Sequence, residues 1–168
     1  MRSPHYSTAV VRLLLGGAIV ACNHSEAVPA DGATDAMTTC DSTCLSQSWW
    51  LGRSSDCSVV CMANPAWAEC MHADCEVIEA TRYITGTRTS LSPMLYSSEA
   101  HSFYLIGSPT TKAYTVDGEC NLQIGSASPE HFACDGSELQ LPTATLQLAT
   151  PQQAAALDGA TVPGRYSY

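Results

Sequence analysis

Nine cysteines constrain this chain more than any other feature. They stand at positions 22, 40, 44, 57, 61, 70, 75, 120 and 134 of a 168-residue sequence. An odd number leaves one thiol over where the others close bridges, as they do outside the cytoplasm. With the first set aside, eight remain, enough for four disulfides. The chain needs them, because with only two phenylalanines the apolar core is expected to be thin. Bridges then stabilise the fold by restricting the unfolded chain.

The first cysteine has its own context. Arg2 and Arg12 make the N-terminus positive, and no acidic residue precedes Glu26. The apolar run Leu13–Val20 is far shorter than the roughly 20 residues that a membrane-spanning helix needs. Positive start, short apolar middle and a small residue before the cut form a secretory signal pattern. Ile19-Val20-Ala21-Cys22 resembles the lipobox of bacterial lipoproteins. That resemblance implies a signal peptide over residues 1–21 and acylation of Cys22 as the first mature residue. It also accounts for the odd cysteine. Asn23, where an aspartate would hold such a protein at the inner membrane, points to the outer membrane. The expected membrane contact is the N-terminal lipid, since two or more acyl chains anchor stably.

Charge narrows the partners. Without residues 1–21 the chain keeps five Lys and Arg against sixteen Asp and Glu, a net charge of −11 from the whole-chain −9. Such a surface excludes nucleic acid and disfavours anionic membrane faces. A protein partner in the cell envelope is the expectation, with no cofactor. Residues 22–39 hold the lipidated Cys22 and a flexible tether, spanning about 20–25 Å as a coil.

Residues 40–80 form a cysteine-rich block in which Cys40-x3-Cys44 and Cys57-x3-Cys61 flank twelve residues. Positions i and i+4 share a helix face. Two antiparallel helices could therefore carry a ladder of Cys40–Cys61 and Cys44–Cys57, with Gly52 ending the first helix and Ser55 or Asp56 capping the second. The spacing resembles the twin Cx3C hairpins of plant α-hairpinins and mitochondrial small translocase chaperones, which implies the same hairpin and ladder but not those proteins' functions. Trp49 and Trp50 would sit near its turn, as core cap or contact surface. Asn64-Pro65 fits the start of a third helix. Cys70 and Cys75, five apart, close a local loop or reach other partners.

Residues 81–168 read as an antiparallel β-domain with a short C-terminal helix. Asp117-Gly118 and Asp135-Gly136 are hairpin signals, and with the loop 125–129 they give strands at 111–116, 119–124, 130–134, 137–141 and 145–149. If that loop has five residues, Ile124 opposes Glu130 and Cys120 faces Cys134 in position for a bridge. Leu122, Phe132, Leu139, Leu141, Leu146 and Leu148 then share the core face. His101–Gly107 and "TRYITGTR" read as two further strands, and "VPGRYSY" as a closing edge strand. Thr150-Pro151-Gln152-Gln153 is a capping box. The expected fold class is thus α+β, a disulfide-stapled helical hairpin followed by a small antiparallel sheet, whether meander, sandwich or partial barrel.

Chemistry is sparsely signalled. No Cys-x-x-Cys, Gly-x-Ser-x-Gly or His-Glu-x-x-His is present. Met62, Met71 and His72 among the cysteines would suit a soft metal, and His101 and His131 have serines and acids nearby. The turn acids Asp117, Glu119, Asp135 and Glu138 match no calcium loop. The expected function is a lipid-anchored, non-catalytic binding or scaffolding module outside the cytoplasm. The alternatives are a hydrolase-like envelope enzyme and a soft-metal binder.

Overall fold

The computed structural model describes residues 41–168. The expected signal peptide (1–21), Cys22, the expected tether and Cys40 lie outside the described residues. The chain forms β1 (Trp50–Asp56), α1 (Ser58–Ala63), β2 (Glu76–Ile84), β3 (Thr87–Ser97), β4 (Ser102–Leu105), β5 (Thr110–Val116) and β6 (Asn121–Ile124). It continues through β7 (Glu130–His131), β8 (Ala133–Cys134), β9 (Glu138–Leu141), β10 (Ala144–Leu148), α2 (Pro151–Asp158) and β11 (Gly164–Ser167). Short 3-10 turns cover Ser42–Ser46 and Ala68–Met71.

The main sheet runs β7-β6-β5-β3-β2-β1-β10-β9-β8, every pair antiparallel. Its end strands, β7 and β8, are separated along the chain by Phe132 alone. The sheet therefore curls until its two ends meet, giving a nearly closed barrel. Trp50, Tyr83, Leu122, Phe132, Leu139 and Leu146 fill the interior, as side chains do in small barrels. The opposite face of β2 carries Ile78 and Ala80 into a second core with Leu91, Phe103, Leu105 and Leu157 of α2. Strand β3 serves both: Thr87–Ser90 pair with β5 and Met94–Ser97 with β4, which also carries β11. The change of partner falls at Pro93, which has no N–H for a ladder.

No helical hairpin exists among the described residues. The segment expected to turn between two helices is instead β1, central in the sheet between β2 and β10. Burial of Trp50 in the barrel overrides the helical spacing of the cysteines, since large aromatic side chains suit a pleated, buried surface. The paired cysteines differ accordingly. Cys44 bridges Cys134, Cys57 bridges Cys75 and Cys61 bridges Cys70, with Cα separations of 6.2, 5.6 and 5.4 Å. The expected Cys40–Cys61, Cys44–Cys57 and Cys120–Cys134 pairs do not form. A ladder does exist, because Cys57 and Cys61 sit one turn apart at α1, but its other rail is the loop bearing Cys70 and Cys75. Asn64 ends α1 rather than starting a third helix.

The C-terminal strands lie close to the expected segments, with a shifted register. Leu122, not Ile124, opposes Glu130. A slip of two residues keeps each side chain on its face, so Leu122, Phe132, Leu139 and Leu146 still share the core. Cys120, however, moves opposite Phe132, whose N–H donates to its carbonyl at 2.8 Å. The paired residues Leu122 and Glu130 thus flank seven residues rather than five, and the Asp-Gly turns are also longer than expected. Asp117 Oδ1 accepts from the N–H groups of Glu119 and Asn121, both at 2.9 Å, and Asp135 Oδ1 from those of Ser137 and Glu138, both at 3.0 Å. Each aspartate caps a longer loop instead of occupying a two-residue turn. The tight hairpin lies elsewhere: Thr85 (φ 48°) and Gly86 (φ 74°) join β2 to β3 inside the segment expected to be one strand. The capping box forms as expected, with Gln153 N–H on Thr150 Oγ1 and Thr150 N–H on Gln153 Oε1.

Candidate functional site

The barrel wall is open on one side because its last two strands are short. Strand β7 pairs only Asn121 and Leu122 of β6, and β8 pairs only Leu139 and Gln140 of β9. Ile124 and Leu141 are left facing a cleft of about 530 Å3, a volume within the usual range for small-molecule sites. Ala144 and Leu146 of β10 complete its apolar lining. Gly52 of β1 permits this packing, since a Cβ there would stand 2.6 Å from Leu146 Cδ2.

Polar groups converge on the far wall. Alternate residues of β2, namely Glu79, Thr81 and Tyr83, share the face turned to the cleft, and Arg88 stands opposite Tyr83 across the hairpin. Glu79 Oε1 accepts from Ser90 Oγ at 2.7 Å, from Thr81 Oγ1 at 3.1 Å and from Arg88 Nη2. Arg88 Nη2 also donates to Thr81 Oγ1 at 3.2 Å, while its Nε is buried without a partner. Glu79 Oε2 accepts no hydrogen bond from the described residues, and the side chain is 40% exposed. Burial pushes the Tyr83 hydroxyl up in pKa, against the opposing effect of Arg88. Glu130 of β7 lines the entrance.

The residues singled out in the sequence lie elsewhere. Trp49 and Trp50 are buried, not displayed at a tip. Trp50 Nε1 donates to the Leu45 carbonyl at 3.0 Å, and Trp49 Nε1 to Asp158 Oδ1 at 2.9 Å, with Arg82 stacked 4.7 Å over its ring. This arrangement ties α2 to the sheet. Met62 and Met71 are both 77% exposed, beside the Cys61–Cys70 bridge. His101 lies near the Tyr168 ring, and His131 Nδ1 is 3.1 Å from the Glu119 carbonyl.

His72, Asp74 and Glu99 bring ligand-type atoms within 4.8 Å of one another. Both Asp74 oxygens are already occupied, accepting from the Ser97 hydroxyl, the Ser98 hydroxyl and N–H, and the Glu99 N–H. Burial acts to raise the Asp74 pKa, but these bonds outweigh it and hold the carboxyl far below its usual range. The group fastens the β3–β4 loop. Cys57, Cys61 and Cys75 also cluster, but as disulfides they offer no thiolate.

Sequence reasoning missed Glu79, Thr81, Tyr83 and Arg88. The available signal was period-two alternation in Ile78-Glu79-Ala80-Thr81, with small or apolar residues on one face and polar ones on the other. No family model, curated protein or solved structure matches this chain.

Proposed function

We propose that this protein is a lipid-anchored, extracytoplasmic binding module of the bacterial envelope, in which a disulfide-clamped β-barrel presents its open cleft to a small ligand. The observation that carries this reading is the state of the cysteines. All seven among the described residues are disulfide-bonded, which suits an oxidising compartment and agrees with the signal-like leader ending at Cys22. The cleft supplies the binding part. It combines an aliphatic side with a few fixed polar groups, the combination that orients a bound molecule. Arg88, Thr81 and Ser90 lock Glu79 in place, so the polar wall is ordered before any ligand arrives.

Cys22→Ser tests the anchor. The variant is expected to leave the membrane fraction or to remain unprocessed, as followed by fractionation and immunoblotting. A variant that is processed normally and stays with the membrane would refute acylation at this position.

A further inference from the structure

We infer that Cys120 is bridged to Cys40, so that Cys40-x3-Cys44 clasps both ends of the main sheet. Cys120 is disulfide-bonded. Six of the other eight cysteines are engaged with one another, as Cys44–Cys134, Cys57–Cys75 and Cys61–Cys70. Two cysteines are left as its partner, Cys22 and Cys40, both outside the described residues. Chain reach favours Cys40. Phe132 donates its N–H to the Cys120 carbonyl at 2.8 Å and stands two residues before Cys134, which is joined to Cys44. Cys44, Cys120 and Cys134 pack against the same barrel core. Cys120 therefore lies one backbone hydrogen bond and two residues from the Cys44–Cys134 bridge, and Cys40 only four residues from it on the other side. Cys22 is 22 residues from Cys44 and would have to close a much longer loop to make the same bond.

Parity points the same way. Pairing Cys40 leaves over Cys22, the one cysteine with another fate, in acylation. This second argument rests on the proposed anchor; the argument from chain reach does not. Forming the S–S bond removes one hydrogen from each thiol. The two electrons pass to a disulfide oxidant of the extracytoplasmic compartment, which leaves as two thiols. The result is a clasp. Cys134 lies in β8 at one end of the sheet, and Cys120 leads directly into β6, which pairs with β7 at the other. The turn Ser42–Ser46 follows Cys40 and holds Cys44, so the two bridges fasten both ends to one short segment. Ile124 and Glu130, on the β6–β7 side of the cleft, are then held against Leu141 of β9 on the other. The chain preceding Cys40, with the proposed anchor, joins the barrel at this seam.

The test uses wild-type protein from its own cells, with thiols alkylated at lysis and digestion without reduction. Cleavage before Asp41 and after Glu119 and Glu130 puts Cys40, Cys44, Cys120 and Cys134 on four separate peptides. The expected product joins the peptide ending at Cys40 to the one beginning at Cys120. Cys120 joined to the peptide of Cys22, or alkylated Cys40 or Cys120, would overturn the pairing. Cys22 recovered as an alkylated thiol beside an intact Cys40–Cys120 bridge would support the pairing while refuting the anchor. The clasp has its own readout in amide hydrogen exchange. Cys40→Ser is expected to speed exchange of the Phe132 N–H about tenfold, by freeing the seam locally, while the N–H of Ile78 in central β2 keeps its rate. Unchanged exchange at Phe132 would overturn the clasp. Should that variant not fold, the peptide map of the wild-type protein still decides the pairing.

Discussion

Replacing Cys44 and Cys134 together with alanine is expected to lower the unfolding free energy by about 4–5 kcal/mol, more than the loss of any other bridge described. The size follows from loop length. This disulfide joins residues 90 apart in sequence, whereas Cys61–Cys70 spans 9 and Cys57–Cys75 spans 18. In the chain-entropy treatment, removing the 9-residue link costs only about 2.5–3 kcal/mol. Position adds to the difference. Cys44 is buried in the barrel core beside Trp50 and Phe132, and Cys134 closes β8 against the interior. Its loss frees the last strand at the point where the sheet's ends meet. Denaturant titration followed by tryptophan fluorescence measures both double replacements. Equal losses for Cys44/Cys134 and Cys61/Cys70 would show that the long bridge does not restrict the unfolded chain as described.

The second large effect is expected at Arg165. Glu69 is fully buried, and its Oε1 accepts from Ser102 Oγ at 2.6 Å and from Arg165 Nε at 3.0 Å. Arg165→Met would leave a carboxylate inside the protein with one hydroxyl for company, at a cost of about 3–5 kcal/mol. The reverse change is milder. The Arg165 side chain is 43% exposed, so in Glu69→Gln it can turn to water while the amide keeps Ser102. That loss should be nearer 1–2 kcal/mol. The asymmetry is the informative part, and thermal or chemical denaturation of the two variants reads it. A larger loss for Glu69→Gln than for Arg165→Met would mean that the carboxylate is not the group at risk.

Much of the barrel core was legible in the sequence, and much of its connectivity was not. Leu122, Phe132, Leu139 and Leu146 were assigned to one face by alternation, which survives a two-residue slip unchanged. The same slip was fatal to Cys120–Cys134, because a disulfide requires one register and not merely one face. The Asp-Gly pairs marked where the chain turns, but the length of each turn depended on which N–H groups Asp117 and Asp135 would capture. Cys57 and Cys61 were correctly read as one turn of helix apart, yet spacing could not choose between partners upstream and downstream. Cys44 found its partner 90 residues away, beyond the reach of any local pattern.

The cleft was hidden for a related reason. Its polar wall needs Arg88 opposite Tyr83, and that juxtaposition follows only once Thr85-Gly86 is seen as a hairpin turn. With both residues at positive φ, the pair has the backbone of a type I′ turn, but threonine is not among the residues that announce one. As a single strand, the segment does not bring Arg88 opposite Tyr83. The open wall was equally unreadable, since it arises where β7 and β8 stop after two residues each.

The most direct measurement is non-reducing peptide mapping of the protein taken from its own cells, with thiols alkylated at lysis. Cross-linked peptides joining Cys44 to Cys134, Cys57 to Cys75 and Cys61 to Cys70 are the expected result, as the proposed extracytoplasmic location requires. Recovery of those six cysteines as alkylated thiols, or of a peptide joining Cys120 to Cys134, would contradict it.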